Sequence, residues 1–330
     1  MADNFRAIVT RETDDHKGIS QLETISFDDL PEGEVLVKIH HAAMNYKDGL
    51  ALGGLARIIR EFPFVCGIDS TGEVVESSSA EYKPGDKVII NGWRIGEIHW
   101  GGFSEYQRFQ SDWLVPLPEG LTLQDAATLG VAGLTAGVSL ISLERHGVKP
   151  GDKPLLVTGA SGGVGSFCVQ MASRRGYDVT AVSGRPYNYD YLKSLGASNV
   201  IPRSTYNEGM KKPLSKEQWC GVIDNSGGPA LAQILTEIQY GGALAAVGLP
   251  AGNMVEIDLI TLFVRRVAIL GIDTALVNRE TRIAAFDMAV QTMKPDDYAA
   301  IRTEAKLEEV PDLGRAILKG QVKGRAVVTM

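Results

Sequence analysis

The 330-residue chain has little cysteine: Cys66, Cys168 and Cys220, far apart and odd in number. They form no CxxC pair, which excludes a disulfide framework and a cysteine metal clamp. They read as free thiols in a reducing compartment. A basic excess is missing too: the formal net charge is −7, without the basic stripe that grips a phosphate backbone. No run of like charge is long enough for an interaction tail. The opening residues, MADNFRAIVTRETDDH, hold no apolar segment of the secretory kind. Long apolar runs are scarce as well. One, Ala126 to Leu143, carries no charge over the roughly 18 residues of a marginal membrane span. Gly130, Gly133 and Gly137, with Thr128, Thr135, Ser139 and Ser142, dilute it, so it reads as a buried helix packed closely through its glycines. A soluble cytoplasmic protein without membrane or nucleic-acid partners is expected. What is present is an ordinary globular composition, 44% hydrophobic and 22% charged, long enough for about two domains.

Residues 1–125 read as β-type runs closed by turns: FRAIVTRE, EVLVKIHHAAMN, STGEVVES, DKVIING, GFSEYQRF and WLVPLP. Their short spacing, with turns such as KPGDK, predicts a small barrel or sandwich. Over residues 126–275 the pattern changes. Six apolar runs, PLLVTG, DVTAVSG, SNVIP, GVIDNSG, GALAAVG and VAILGID, alternate with helical stretches and predict a doubly wound parallel sheet. Residues 276–330 carry a helix, a second helix from near Val310 and the strand GRAVVTM. They are expected to pack back onto the first domain.

The stretch VTGASGGVG, Val157 to Gly165, joins a buried run to a helix and fits two glycine fingerprints. One is a loosened dinucleotide loop, Gly159-x-x-Gly162-x-x-Gly165. The other is the Thr-Gly-x-x-x-Gly-x-Gly pattern of short-chain dehydrogenases. The latter needs the loop near the N-terminus and a Tyr-x-x-x-Lys pair far downstream. Here Tyr189-x-x-x-Lys193 starts only 24 positions after Gly165, in the second strand–helix unit, and reads as a helix-surface pair. The dinucleotide reading stands, with Ser161, Gly162, Gly163 and Val164 offering backbone to a pyrophosphate at the helix N-terminus.

The second strand of such a fold usually ends in an acidic residue that binds the ribose 2′-hydroxyl of NAD. Here it ends in Ser183, Gly184 and Arg185. A hydroxyl and a forked cation suit a 2′-phosphate, so NADP(H) is the expected cofactor. Arg203, just after the third strand, is either a second contact at the adenine end or a solvated loop charge.

Barrel-like N-terminal part, central nucleotide fold and C-terminal return resemble the medium-chain dehydrogenase/reductase superfamily. NYKDGL, GIDSTGEV, GDKV, HWGGFSEY, GASGGVGS, SGRP, YLKSLGAS and LGID, in this order along the whole chain, look like the acrylyl-CoA reductase branch of its zinc-free quinone oxidoreductases. The resemblance implies an α/β protein: a GroES-like β-barrel catalytic domain (1–125 and 276–330) and a Rossmann domain (126–275). Zinc-dependent relatives place metal ligands where Asn45 stands and near Ile68 and Val131. None of these is a good zinc ligand, and no metal is expected.

The resemblance puts Asn45 and Tyr46 at the nicotinamide. Tyr46 either donates a hydrogen bond to a developing enolate or packs as a wall. Asp69 either orients its neighbours or closes a turn before Gly72. Ligands of parallel sheets lie off the carboxyl ends of strands, which nominates Leu249, Ile272, Asp273 and Thr274. Phe263 is similar to a cofactor-lining position and equally plausible as core. Arg325 resembles the superfamily's basic group near the pyrophosphate, or is an edge-strand charge. If the substrate is a CoA thioester, Arg57 and Arg60, at i, i+3 on a helix LARIIREF, with Lys47 nearby, are candidates for its phosphates. The alternative is that they are solvated charges. The expected activity is NADPH-dependent reduction of the C=C bond of a small α,β-unsaturated acyl-CoA. The alternatives are a quinone or alkenal reductase, or an NADPH-binding sensor. A homodimer paired through the apolar sixth strand is also expected.

Overall fold

The computed structural model describes residues 4–14, 18–55, 57–151, 153–207, 209 and 212–330. They fall into two compact units: residues 1–131, 275–278 and 294–330 form one, residues 132–274 and 279–293 the other.

The first unit opens with strands β1 (Asn4–Glu12) and β2 (Gly18–Ser26), paired antiparallel from Asn4 opposite Ser26 to Glu12 opposite Gly18. After β3 (Val35–Ala43) and the short helix α1 (Tyr46–Leu52) come β4 (Phe64–Val65), β5 (Asp69–Ser77), β6 (Lys87–Asn91), β7 (Tyr106–Phe109) and β8 (Leu114–Pro116). Strand alternation sends Val35, Val37 and Ile39 of β3 into one cluster with Val74, Val88, Ile90 and Phe109. Helix α1 ends where Gly53 and Gly54 follow it, and Gly54 and Arg57 take left-handed φ values of 63° and 47°. Arg57 sits in a turn and Arg60 in irregular chain, so the expected helix over LARIIREF does not form; its Ala56 lies outside the described residues.

Helix α2 (Leu123–His146) is largely buried, as its glycine-diluted composition predicts. A Cβ on Gly137 would lie 2.9 Å from the Cβ of Ala285, so glycine here permits close helix packing. Gly130 interrupts the helix at φ 43°, ψ −150°.

The second unit is a six-stranded parallel sheet of β9 (Leu155–Val157), β10 (Val179–Ser183), β11 (Asn199–Pro202), β12 (Trp219–Asp224), β13 (Ile238–Ala246) and β14 (Ala268–Gly271). Its order is β11-β10-β9-β12-β13-β14, so β14 is an edge. Strand order reverses between β9 and β12, the crevice where such sheets bind ligands. Connecting helices are α3 (Gly163–Arg174), α4 (Tyr189–Ser194), α5 (Ala230–Leu235) and α6 (Leu259–Arg265).

The C-terminal segment divides. Helix α7 (Arg279–Thr292) belongs with the second unit, not the first as expected, because Ala285 seats on Gly137 and Phe286 and Ala289 are buried. The return to the first unit begins with α8 (Pro295–Ile301) and β15 (Arg302–Lys306), then α9 (Val310–Leu318) and β16 (Arg325–Thr329). Strand β16 lies between β15 and β3, so Arg325 is no edge-strand charge.

Candidate active site

In the first unit the registers of β3, β5 and β16 assemble a buried polar network. Ala43 lies opposite Asp69 across β3 and β5, and Asn45 follows two residues after Ala43 as the cap of α1. Asp69 Oδ2 accepts from Arg325 Nη2 (2.6 Å) and Asn45 Nδ2 (3.0 Å), and Oδ1 accepts from the Val131 N–H (2.7 Å). Arg325 also donates through Nη1 to Asn45 Oδ1 (2.7 Å) and the Met44 carbonyl (3.2 Å), and through Nε to the Thr128 carbonyl (3.1 Å). Asp69 and Arg325 are 1% and 2% exposed. A desolvated ion pair persists only when further hydrogen bonds satisfy both ions, and here they do.

The break in α2 serves this network. A Cβ on Gly130 would lie 2.6 Å from Asp69 Oδ2 and 2.8 Å from Arg325 Nη2. Its left-handed φ also takes it out of the helical conformation, and the next amide, Val131, turns to the carboxylate. The consequences bear on three expectations. Arg325, buried with every arm engaged, is not a pyrophosphate contact. Asn45 gives its amide to Asp69, Arg325 and the Ala43 carbonyl (3.2 Å), which makes it a positioning group. Asp69 likewise orients neighbours and presents nothing outward.

Asp48 is a site residue that the sequence reading missed. It is fully buried, with Oδ2 accepting from the Asn45 N–H (2.8 Å) and Oδ1 from the Ile68 N–H (3.0 Å). Burial pushes its carboxyl up to about 7, and the negative charge of Asp69 adds to the rise. The signal lies in NYKD: an acid three residues after an Asn cap is a helix-start pattern that folds the carboxylate back onto the cap amide.

Tyr46, the first residue of α1, is 43% exposed, and its hydroxyl has no hydrogen-bond partner among the described residues. The next residue, Lys47, is bound to the mostly buried Glu97 at 2.9 Å, so its ammonium is already matched. Arg57 and Arg60 are both exposed, without the shared helix face expected of them.

The second unit carries the nucleotide-type features. A Cβ on Gly165 would lie 2.4 Å from the Gly159 carbonyl, and Gly159 has φ 56°, so glycine is required at both. The loop opens into the 12-residue α3 through half-buried Ser161, Gly162, Gly163 and Val164. The Gly162 N–H closes the turn on the Gly159 carbonyl (3.1 Å), which leaves those of Ser161, Gly163 and Val164 as the groups that suit a pyrophosphate. Beneath it, Thr158 Oγ1 donates to buried Asp224 (2.5 Å), and Asn225 returns hydrogen bonds to Thr158 Oγ1 (3.0 Å) and its carbonyl (2.9 Å). These tie the ends of β9 and β12 together. At the end of β10, Ser183 Oγ accepts from the Arg185 N–H (3.2 Å) and shapes the turn. The Arg203 guanidinium lies over Gly184, with Nε 3.3 Å from where a Cβ would be. Ser183, Gly184, Arg185 and Arg203 therefore converge. Leu249 and Phe263 are 64% and 72% exposed, so Phe263 is not core. Ile272 is half-buried, as is Thr274, whose hydroxyl lies 3.2 Å from that of Thr135.

A glycine-loop parallel sheet and an antiparallel unit with a built polar network define an oxidoreductase of the two-domain nicotinamide type. Comparison with known proteins agrees. Residues 31–119 match the alcohol dehydrogenase GroES-like domain family and residues 163–291 the zinc-binding dehydrogenase family. The chain is 44% identical to acrylyl-CoA reductase AcuI of Ruegeria pomeroyi over 98% of both chains. It is similar to the structure of YhdH of Escherichia coli K-12 with bound NADPH (TM-score 0.94, 40% identity, 98% of this chain and 99% of that one). It is also similar to Bacillus subtilis YhfP with NAD bound (TM-score 0.95, 41% identity, 99% of each chain). The chain belongs to the medium-chain dehydrogenase/reductases, as a member of their acrylyl-CoA reductase-like group.

Proposed function

We propose that this protein reduces the carbon–carbon double bond of a small α,β-unsaturated acyl-CoA of the acrylyl type, with NADPH and without zinc. The substrate class comes from the full-length likeness to the Ruegeria acrylyl-CoA reductase. NADP(H) is supported by the turn after β10, where Ser183, Arg185 and the Arg203 guanidinium over Gly184 offer a 2′-phosphate a hydroxyl and cations in place of the usual carboxylate. The glycine cradle fits the pyrophosphate. NADPH, when bound, supplies the hydride.

One observation carries the zinc-free reading. Near the two places where zinc enzymes carry ligand side chains, Ile68 and Val131 use backbone N–H groups to hold the buried carboxylates of Asp48 and Asp69. At the third, the Asn45 amide is turned inward. Among the described residues, no group of three His, Cys, Asp or Glu side chains has metal-binding geometry.

Addition of hydride to the β-carbon leaves an enolate, which needs a donor at its oxygen and a proton at the α-carbon. Tyr46 is the group suited to this: a phenol without an internal partner, on a helix whose first turn is fixed by Asn45 and Asp48. Asp69 and Arg325 hold Asn45, and so the start of α1, in place.

The test is turnover with NADPH on acrylyl-CoA, crotonyl-CoA and a benzoquinone, before and after prolonged EDTA. Acrylyl-CoA should be reduced fastest, with no loss after chelation. A faster benzoquinone reaction favours the second reading, a quinone reductase, which the likeness to the Bacillus subtilis quinone oxidoreductase YhfP supports. Loss restored by added zinc overturns the metal-free mechanism. NADPH binding without turnover would mark a sensor. Edge strand β14, with Ile269 exposed, also supports a homodimer paired through this strand. A monomer by light scattering at micromolar concentration would refute it.

A further inference from the structure

An open cavity of about 470 Å³ lies within the first unit, away from the Asp69–Arg325 network. That volume falls in the range of small-molecule sites. Its walls mix aromatic and charged side chains, and Trp100, Trp113 and Phe62 are among the aromatic ones. Two of these rings are held in place: Trp100 Nε1 donates to the Pro63 carbonyl (3.2 Å), and the Trp113 ring lies 4.5 Å from that of His99, tilted by 40°. Fixed aromatic faces stack on a flat heterocycle at little entropic cost.

Two guanidiniums line the same cavity. Arg60 is exposed and makes no ion pair or hydrogen bond among the described residues. Arg108 faces Glu76 only at 3.7 Å across a solvated surface. Three carboxylates line it too. Glu97 is matched by Lys47 (2.9 Å) and Arg94 (3.7 Å). Glu32 and Glu61 remain, acceptors suited to an exocyclic amino group or sugar hydroxyls. Stacking faces, one forked cation without a partner among the described residues (Arg60), a second held only loosely (Arg108) and acceptors together fit a purine nucleotide with phosphates better than a simple anion.

The cavity is also linked to α1. Glu97, on its wall, grips Lys47, the residue after Tyr46. A ligand seated here would have its far end one ion pair from the exposed phenol. In a CoA thioester, the pantetheine arm separates the reacting acyl group from the adenine nucleotide in just this sense.

We propose that this cavity binds the phosphorylated adenosine end of the acyl-CoA substrate, with Arg60 as its phosphate anchor; the inference rests on the acyl-CoA reading above. The two can fail separately. Steady-state kinetics of wild type and Arg60→Glu would be compared on acrylyl-CoA and on acryloyl-N-acetylcysteamine, which lacks the nucleotide. Arg60 is exposed and outside helix and strand, so reversal of its charge leaves the fold intact. The expected result is a KM for acrylyl-CoA raised about 10- to 100-fold, as for loss of charge-assisted hydrogen bonds. Turnover number, KM for NADPH and KM for the truncated thioester should not change. An unchanged acrylyl-CoA KM overturns the inference and leaves the acyl-CoA reading standing. If wild type reduces no CoA thioester, that reading has failed. The cavity is then judged by titrating NADPH-saturated protein with adenosine 3′,5′-bisphosphate and following tryptophan fluorescence. Binding abolished by Arg60→Glu supports a nucleotide site, and no binding at millimolar concentration overturns it.

Discussion

The candidate residues of the two units are organised in opposite ways. In the first unit, the charges around the start of α1 are buried and matched internally: Asp69, Arg325, Asn45 and Asp48 bind one another and nearby backbone, and beside them the Tyr46 hydroxyl has no partner among the described residues. In the second, the candidate groups lie at or near the surface: the N–H groups of Ser161, Gly163 and Val164, half-buried Arg185 and exposed Arg203, and the exposed faces of Leu249 and Phe263. The first unit is arranged before any ligand arrives. The second presents groups whose partners lie outside the chain. If so, substitutions in the first unit should cost stability or chemistry, and those in the second should cost cofactor affinity alone.

The largest effect should come from breaking the ion pair. Asp69→Ala leaves the Arg325 guanidinium buried without a counter-charge, which typically costs about 3–5 kcal/mol. Urea unfolding would measure it. Adding Arg325→Met to the variant should recover part of the loss, because the stranded charge is then gone. No recovery would mean that Asp69 matters for something other than this pair.

Tyr46→Phe tests whether the exposed group of the first unit is its chemical one. The ring stays and only the hydroxyl is removed. Loss of one donor to a developing oxyanion lowers turnover by about 10²–10³, while NADPH affinity and unfolding free energy should hold. A wild-type turnover number, with chemistry shown to be rate-limiting, would make Tyr46 a wall and send the search for the proton to solvent.

Arg185→Ala probes the second unit. It should reduce the preference for NADPH over NADH by about tenfold, or ~1.4 kcal/mol, with stability within about 0.5 kcal/mol of wild type. Equal affinity of wild type for the two cofactors in a titration would remove the argument from the β10 turn. The relative crystallised with NAD makes that comparison worth doing first.

The same contrast explains what was legible in the sequence. The second unit is built from local signals. Each strand is a short apolar run, most candidate cofactor residues lie at strand ends, and the glycine spacing is readable within nine residues. Hence the six strands, the loop and the β10 turn could be read directly. Even Arg203 lies one strand away from Gly184, at the matching strand end. The first unit depends on registers that sequence does not state. Asp69 and Arg325 stand 256 positions apart and meet only because β16 inserts between β15 and β3. Gly130 looked like one small residue in a close-packed helix, and its role as a helix break appears only beside the carboxylate it admits. Arg57 and Arg60 show the converse error: spacing suggested a helix, and the glycine pair after Leu52 ended it first. Helix α7 was misassigned because chain order was taken for spatial order.

The effect that is spread most gradually, and the sharpest for the buried side of the comparison, is a pH slope from Asp48. Two backbone N–H groups favour its charged form, yet burial and the neighbouring Asp69 charge outweigh them and bring its titration to about 7. An unfolded Asp releases its proton near pH 4. Between these values the folded protein keeps a proton that the unfolded chain has lost, so unfolding free energy falls as pH rises from about 4 to about 7 and levels off above. The slope from one group is at most about 1.4 kcal/mol per pH unit. Asp48→Asn, a neutral mimic of the protonated acid, should remove this component. His40, His41 and His99 are held below their usual range by burial, and Asp224 is raised by it. They add slopes of their own, which cancel when the variant's curve is subtracted from that of wild type. Urea midpoints at half-unit steps from pH 5 to 8 would give the difference. Wild type should lose stability relative to the variant up to about pH 7 and run parallel beyond it. Parallel curves throughout would mean that Asp48 titrates as an ordinary carboxylate, held ionised by the two amides it caps.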